Sequence, residues 1–250
     1  MATLVHYRFI FRSALRLSSM LERFITHFAL ADWIALSLFF VGWVGYSGYA
    51  DHAARHFKGL QGVTHKHRIA WAREMVHRDN RMPDVSLIGN LMRSTSFYAN
   101  TTIYIVAGLL AIVGALDRLV VFTEDLPFTR QTSREMLEAK IFLLAGIFIF
   151  AYFKFTWSIR QFNSLSILTG SAPSHLAQSE ELDRHAEQCG RVNSLAGDEF
   201  NRGIRAYYFG FAALGWFINP AVFITFTLCV LAVLWRRDFR SKTLKAMRGI

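Results

Sequence analysis

An arginine paired with an amide at helical spacing is a recognition element for anions, and this chain carries the pairing twice. In "WSIRQFN", Arg160 and Asn163 stand at i, i+3; in "EFNRGIRAYYF", Asn201 and Arg205 stand at i, i+4. On a helix each pair shares one face. A guanidinium offers a planar fork that matches phosphate or carboxylate, and an amide adds a neutral donor and acceptor. Both stretches lie where a long apolar run meets a polar segment. If the two runs are antiparallel membrane helices, all four side chains return to one interfacial level. That predicts a pocket for an anionic lipid head or a small anion. The architectural alternative is that the arginines bond helix-end carbonyls or Glu199 and pin the chain between them.

A second group suggests a different chemistry. Asn100, Lys154 and Asn219 interrupt apolar runs, and intramembrane polar residues mark paths for ions or solutes. They define an alternative reading as a small channel or transporter. Lys154 also fits a snorkelling side chain near a helix end, and Asp32 fits a first-turn carboxylate at a helix N-terminus. His52 and His56 stand at i, i+4 in "DHAARH" and are weak metal candidates that need a third ligand. No HExxH, phosphate loop, nucleophile elbow or Cys-pair motif is present. Thus no catalytic residue is assigned, no cofactor is expected, and an enzyme reading is weakened.

The elements that must position these residues follow from composition. Hydrophobic residues make up 53% of the 250, with 23 Phe, and charges are concentrated between long uncharged runs. Runs of 18 or more apolar residues cross a hydrocarbon core of about 30 Å. The prediction is an all-α integral membrane helical bundle with four transmembrane helices, at about 28–50, 97–116, 138–159 and 206–235. The last run is too long for one perpendicular helix, and Asn219-Pro220 near its middle predicts a kink. The expected location is a bacterial inner membrane.

Residues 1–27 place Arg8, Arg12 and Arg16 on one helical face and predict a basic amphipathic arm on the membrane surface. Arg-rich, acid-poor chemistry of this kind is also that of a mitochondrial presequence. The long loops 51–96 and 160–205 each hold a predicted helix, the second followed by a glycine break. Residues 236–250 form a basic tail. Four spans put both termini on one side, and the six Lys/Arg of the tail point that side to the cytoplasm. The net charge of +10 sits beside the spans, so its predicted partner is anionic lipid rather than nucleic acid. Small residues at Gly42, Gly45, Gly48 and at Ala107, Ala111, Ala115 predict close helix packing. Such packing serves contacts within one chain or between subunits, and the expected assembly is a homo-oligomer or a complex with another membrane protein.

Three long blocks resemble the domain-of-unknown-function family 599: "NRMPDVSLIGNLMRSTSFYANTTIYIVAGLLAIVGALD", "FKFTWSIRQFN" and "EFNRGIRAYYFGFAALGWFINP". "WRRDFRSKTLKA" extends the likeness into the tail, so it covers most of residues 30–246. The resemblance implies a multi-span membrane protein and carries over no catalytic residues.

Overall fold

The computed structural model describes residues 28–116 and 134–249, and these contain helices and turns with no strand. The N-terminal arm expected over 1–27 lies outside the described residues. Among the described residues seven helices follow in order: α1 Leu30–Arg55, α2 Gly59–Val76, α3 Met82–Gly114, α4 Arg134–Gly170, α5 Ser179–Leu214, α6 Pro220–Arg240 and α7 Lys242–Arg248. Four of the apolar segments are long enough to cross a membrane: those begun by α1, α3, α4 and α6. Their outward faces carry Trp33, Ile34, Val41, Phe97, Tyr104, Phe142, Phe153 and Phe226, all exposed. A water-soluble protein does not expose so broad an apolar surface. Lipid is the solvent that matches it.

Inside the belt, aromatic rings fill the space between helices. Phe39 of α1 meets Phe209 of α5 edge-on at 5.5 Å and Phe223 of α6 at 5.0 Å, and Trp43 stacks on Phe209 at 5.5 Å. Phe155 of α4 takes Tyr98 and Tyr207 at 5.5 and 5.7 Å. Packing of this kind holds membrane helices together where hydrophobic expulsion does not.

The run 206–235 is two helices, which corrects the expected single kinked span. α5 ends at Leu214, a short 3-10 turn occupies Gly215–Phe217, and α6 starts at Pro220. Asn219 is the N-cap: its side chain accepts the Val222 amide at 2.9 Å, and proline fills the first helical position. The contacts fix the direction of travel. Along α1, Asp32 meets Trp216, Phe39 meets Phe223, Gly42 faces Leu231 and Tyr46 meets Asp238, so α6 runs parallel to α1. Along α5, Asp51 meets Arg205 and Phe39 meets Phe209, so α5 runs the other way. α5 and α6 are therefore a helical hairpin whose tip lies beside the start of α1. Phe28 packs against Trp216 at that tip, whereas His67 of α2 bonds the Met247 carbonyl at the opposite end. The described residues begin at one end of the bundle and finish at the other.

The two long loops are not loops. α3, α4 and α5 run on beyond the apolar belt and, with α2, build a polar helical cap around a second core of Met75, Val76, Ile88, Phe162, Leu165, Leu182 and Cys189. The expected glycine break does not occur, because α5 is continuous from Ser179 to Leu214. Gly203 serves close approach instead: a Cβ there would lie 2.5 Å from the Phe155 ring. The α1–α2 corner turns through Phe57 (φ 56°) and Gly59 (φ 69°). In the cap, buried Asp84 accepts from Trp71 at 2.6 Å and Arg78 at 2.7 Å. Arg81 bonds the Ala172 and Pro173 carbonyls and so ties down the α4–α5 corner.

Candidate anion-binding site at the boundary of membrane and cap

Where the belt meets the cap, α5 carries a charged layer that sequence spacing anticipated only in part. Arg205 is fully buried and its Nη2 bonds Asp51 of α1 at 2.5 Å. Arg202 holds the other Asp51 oxygen at 2.8–2.9 Å and also bonds Glu199. Glu199 in turn lies 2.9 Å from Lys154 of α4. Lys154 thus has a carboxylate partner, where snorkelling or a path residue was expected. At the next position along, Tyr46 donates to Asp238 at 2.7 Å, and Arg237 donates to the same carboxylate at 3.1 Å. A buried charge pair is held where both members are bonded. Arg205 is incompletely so: its Nε and Nη1 find no acceptor among the described residues.

The four residues expected to converge are distributed over separate surroundings. Arg160 is exposed on α4, stacked over Trp157 at 5.6 Å, in an open cleft that also holds Lys154 and Glu199. Asn163 is exposed one turn further on. Arg205 faces Asp51 inside the bundle. Asn201 lines a different and larger cavity of about 660 Å³ between α2, α3, α5 and α6, with Phe162 of α4 also in its wall.

That cavity contains residues the sequence reading passed over. Its polar side presents Arg68, Arg237, Asp238 and Asn201, with the hydroxyls of Thr64, Ser94 and Thr95; its apolar side presents Leu91, Phe162, Phe200, Ile204 and Phe211, with Tyr98, Tyr207 and Tyr208 between. Tyr207 shares a hydrogen bond with Thr102 at 2.8 Å, and Arg237 stacks over Tyr208 at 5.2 Å. Arg68 reaches the cavity because Gly197 lies beneath it; a Cβ at Gly197 would overlap the guanidinium. Burial pushes the Arg68 pKa below its ordinary value, and Asp198 acts against that shift. Asp198 spends its hydrogen bond on His65 at 2.8 Å, and no carboxylate bonds Arg68 among the described residues. A desolvated guanidinium without a bonded counter-ion is the environment in which a ligand anion gains most. The signal available in sequence was "HKHR" facing "AGDE", a basic stretch opposite a small residue, and spacing alone does not join them.

The remaining candidates have local roles. Asp32 accepts the Ala29 amide at 3.2 Å, as a first-turn carboxylate should, and also Trp216 Nε1 at 2.9 Å. Asn100 is exposed on α3, Asn219 caps α6 at the far tip, and Lys154 sits at the cap boundary, so the three do not share a cavity. The His52 and His56 rings lie 4.4 Å apart, and the described residues contain no His/Cys/Asp/Glu group able to hold a metal. Gly42 meets Leu231 of α6, whereas Gly45 and Gly48 meet nothing within 4 Å. Ala107, Ala111 and Ala115 are likewise exposed.

Fold and apolar belt together define a multi-span membrane protein with a helical cap. The chain belongs to the family of proteins of unknown function DUF599, whose model matches residues 34–243. No curated protein and no solved structure matches it.

Proposed function

We propose that this protein is a non-catalytic membrane module that binds an anionic group, phosphate or carboxylate, in the cavity between belt and cap. The observation that carries the reading is Arg68, a half-buried guanidinium in the cavity wall to which no carboxylate of the described residues is bonded. Arg237 stands in the same wall but is neutralised by Asp238, so a ligand anion competes with Asp238 for Arg237 and has Arg68 to itself. Exposed Arg160, expected to share this role, belongs to a separate cleft and is a secondary contact for lipid heads.

The test is thermal melting of the purified protein in sugar-headed detergent, with ethyl phosphate or acetate added. Binding to the native state raises the melting temperature by linkage, and Arg68→Gln removes the increment. Equal melting of wild type and variant at every anion concentration sinks the reading.

Charge distribution supports an orientation. Assigned by connectivity to the end from which each segment emerges, the cap side carries twenty Lys/Arg against eleven Asp/Glu, and the far side eight against seven. Basic residues near spans favour the cytoplasm, which supports a cap and C-terminal helix inside and the start of α1 outside. The α5–α6 hairpin then supplies two crossings where one was expected. In a background lacking Cys189 and Cys229, Ser174→Cys and Ser241→Cys react only from the cytoplasmic face and Leu30→Cys, exposed at the start of α1, only from the other. Labelling of Leu30→Cys and Ser241→Cys from one face excludes this arrangement.

A further inference from the structure

We infer that the occupant of the cavity is an anionic membrane lipid that enters sideways from the bilayer, its phosphate at Arg68 and its hydrocarbon tail along α5. The inference rests on the anion reading above and adds the class of ligand and its route. Three observations point the same way. First, α3 and α6 share no packed interface. α3 reaches α5 through Tyr98, Thr102 and Tyr207, and α6 lies on the other flank of α5 through Arg237 against Tyr208 and Phe226 against Gly215. Among the described residues, no helix lies over the strip of α5 between those flanks.

Second, that strip is apolar and continuous with the cavity. Ile204, Phe211 and Leu214 fall on one helical face. Phe211 lines the cavity and is nevertheless 60% exposed, and Leu214 beyond it is 45% exposed. An exposed side chain at the depth of the belt faces lipid, so the cavity opens at membrane depth. Asn201 to Leu214 spans about 20 Å of helix, room for a tail below the head.

Third, the two ends of this trough differ in chemistry in the sense that a lipid requires. The upper end holds a guanidinium without a bonded carboxylate, hydroxyls and an amide; the lower end holds hydrocarbon and aromatic rings. A small soluble anion has no use for the lower end. A neutral lipid leaves Arg68 without a counter-charge.

The experiment uses the whole chain in nanodiscs of phosphatidylcholine containing a minor fraction of phosphatidate. A photo-crosslinker is installed as Phe211→benzoylphenylalanine, and the attached lipids are identified by mass spectrometry. The expected result is several-fold enrichment of phosphatidate over its share of the bilayer. Adding Arg68→Gln returns the composition to the bulk value. The crosslinker as Ile149→benzoylphenylalanine, at an exposed position of α4, reports the bulk value throughout. Bulk composition at position 211 overturns the lipid assignment. If ethyl phosphate still raises melting through Arg68, the anion reading stands without it; if it does not, both fall. A failed fold of the crosslinker variant is read out by its melting, and Leu214→benzoylphenylalanine repeats the test one turn lower.

Discussion

Arg205 and Arg68 occupy the same boundary layer, carry the same charge and meet opposite circumstances. Arg205 is sealed inside the bundle and bonded to Asp51, which Arg202 also holds. Arg68 faces a cavity, and the carboxylate nearest to it in electrostatic terms is bonded to a histidine. The first clamps α5 to α1, and the second has no carboxylate of the described residues bonded to it. The lesson is that a guanidinium's role here is read from the carboxylate opposite it rather than from its depth.

The largest effect that separates the two is on stability. Arg205→Met leaves Asp51 with less compensation inside the bundle, and removing one member of a buried pair costs about 3–5 kcal/mol. Thermal or denaturant unfolding in mild detergent should show that loss, and adding Asp51→Leu should recover much of it. A loss no larger than that of an exposed pair, below about 1 kcal/mol, removes the bracing role. Arg68→Gln reverses the pattern: melting changes by less than about 0.5 kcal/mol, while anion affinity falls about tenfold or more as a charge-assisted bond is lost.

Gly197→Ala sharpens the contrast at smaller magnitude. Alanine gains about 1 kcal/mol of helix propensity, and the new methyl displaces only the flexible end of Arg68. Stability should hold while affinity drops less than in Arg68→Gln. Asp238→Asn should work in the opposite sense, raising anion affinity a few-fold by releasing Arg237 from its internal carboxylate. Titration of ethyl phosphate against melting temperature reads both, and a weaker rather than tighter Asp238→Asn places Asp238 among the ligand's supports.

An effect confined to alkaline pH lies away from the boundary, in the cap. Burial pushes the Cys189 thiol up to about 11. An unfolded thiol loses its proton near pH 8.5 and the folded one later, so the unfolded state binds fewer protons in between. Stability is therefore unaffected at neutral pH and declines from about pH 9 to 11, by at most about 1.4 kcal/mol per pH unit. Cys189→Ala should flatten that part of the curve.

Much of the fold was legible because apolar length is a strong signal: α1, α3 and α4 stand where 28–50, 97–116 and 138–159 predicted membrane helices. The hairpin was not, since thirty uncharged residues have the same composition whether they form one helix or two antiparallel ones. Asn219-Pro220 held the clue. Asn followed by Pro reads as a kink inside a helix and as cap plus first residue at the start of one. Glycines misled in the other direction, because Gly197 and Gly203 resemble breaks until Arg68 and Phe155 are seen lying across them. Of the site, Arg205 was visible through its spacing from Asn201 on one helix, and Arg202 beside it was not. Asp51, Arg68 and Asp238 were not, since they arrive from other helices and no single-chain periodicity records a partner some 150 residues away.

α4 and α5 pass without interruption from the far tip of the belt to the outer end of the cap. At 1.5 Å per residue each is a rod of about 55 Å, and rods transmit angle. Membrane helices tilt when the thickness of the hydrocarbon layer changes. A tilt of about 5° at the tip becomes a displacement of about 5 Å at the cap over this length. Any tilt that a change in bilayer thickness imposed on these two helices would therefore reach the cap as a lateral displacement.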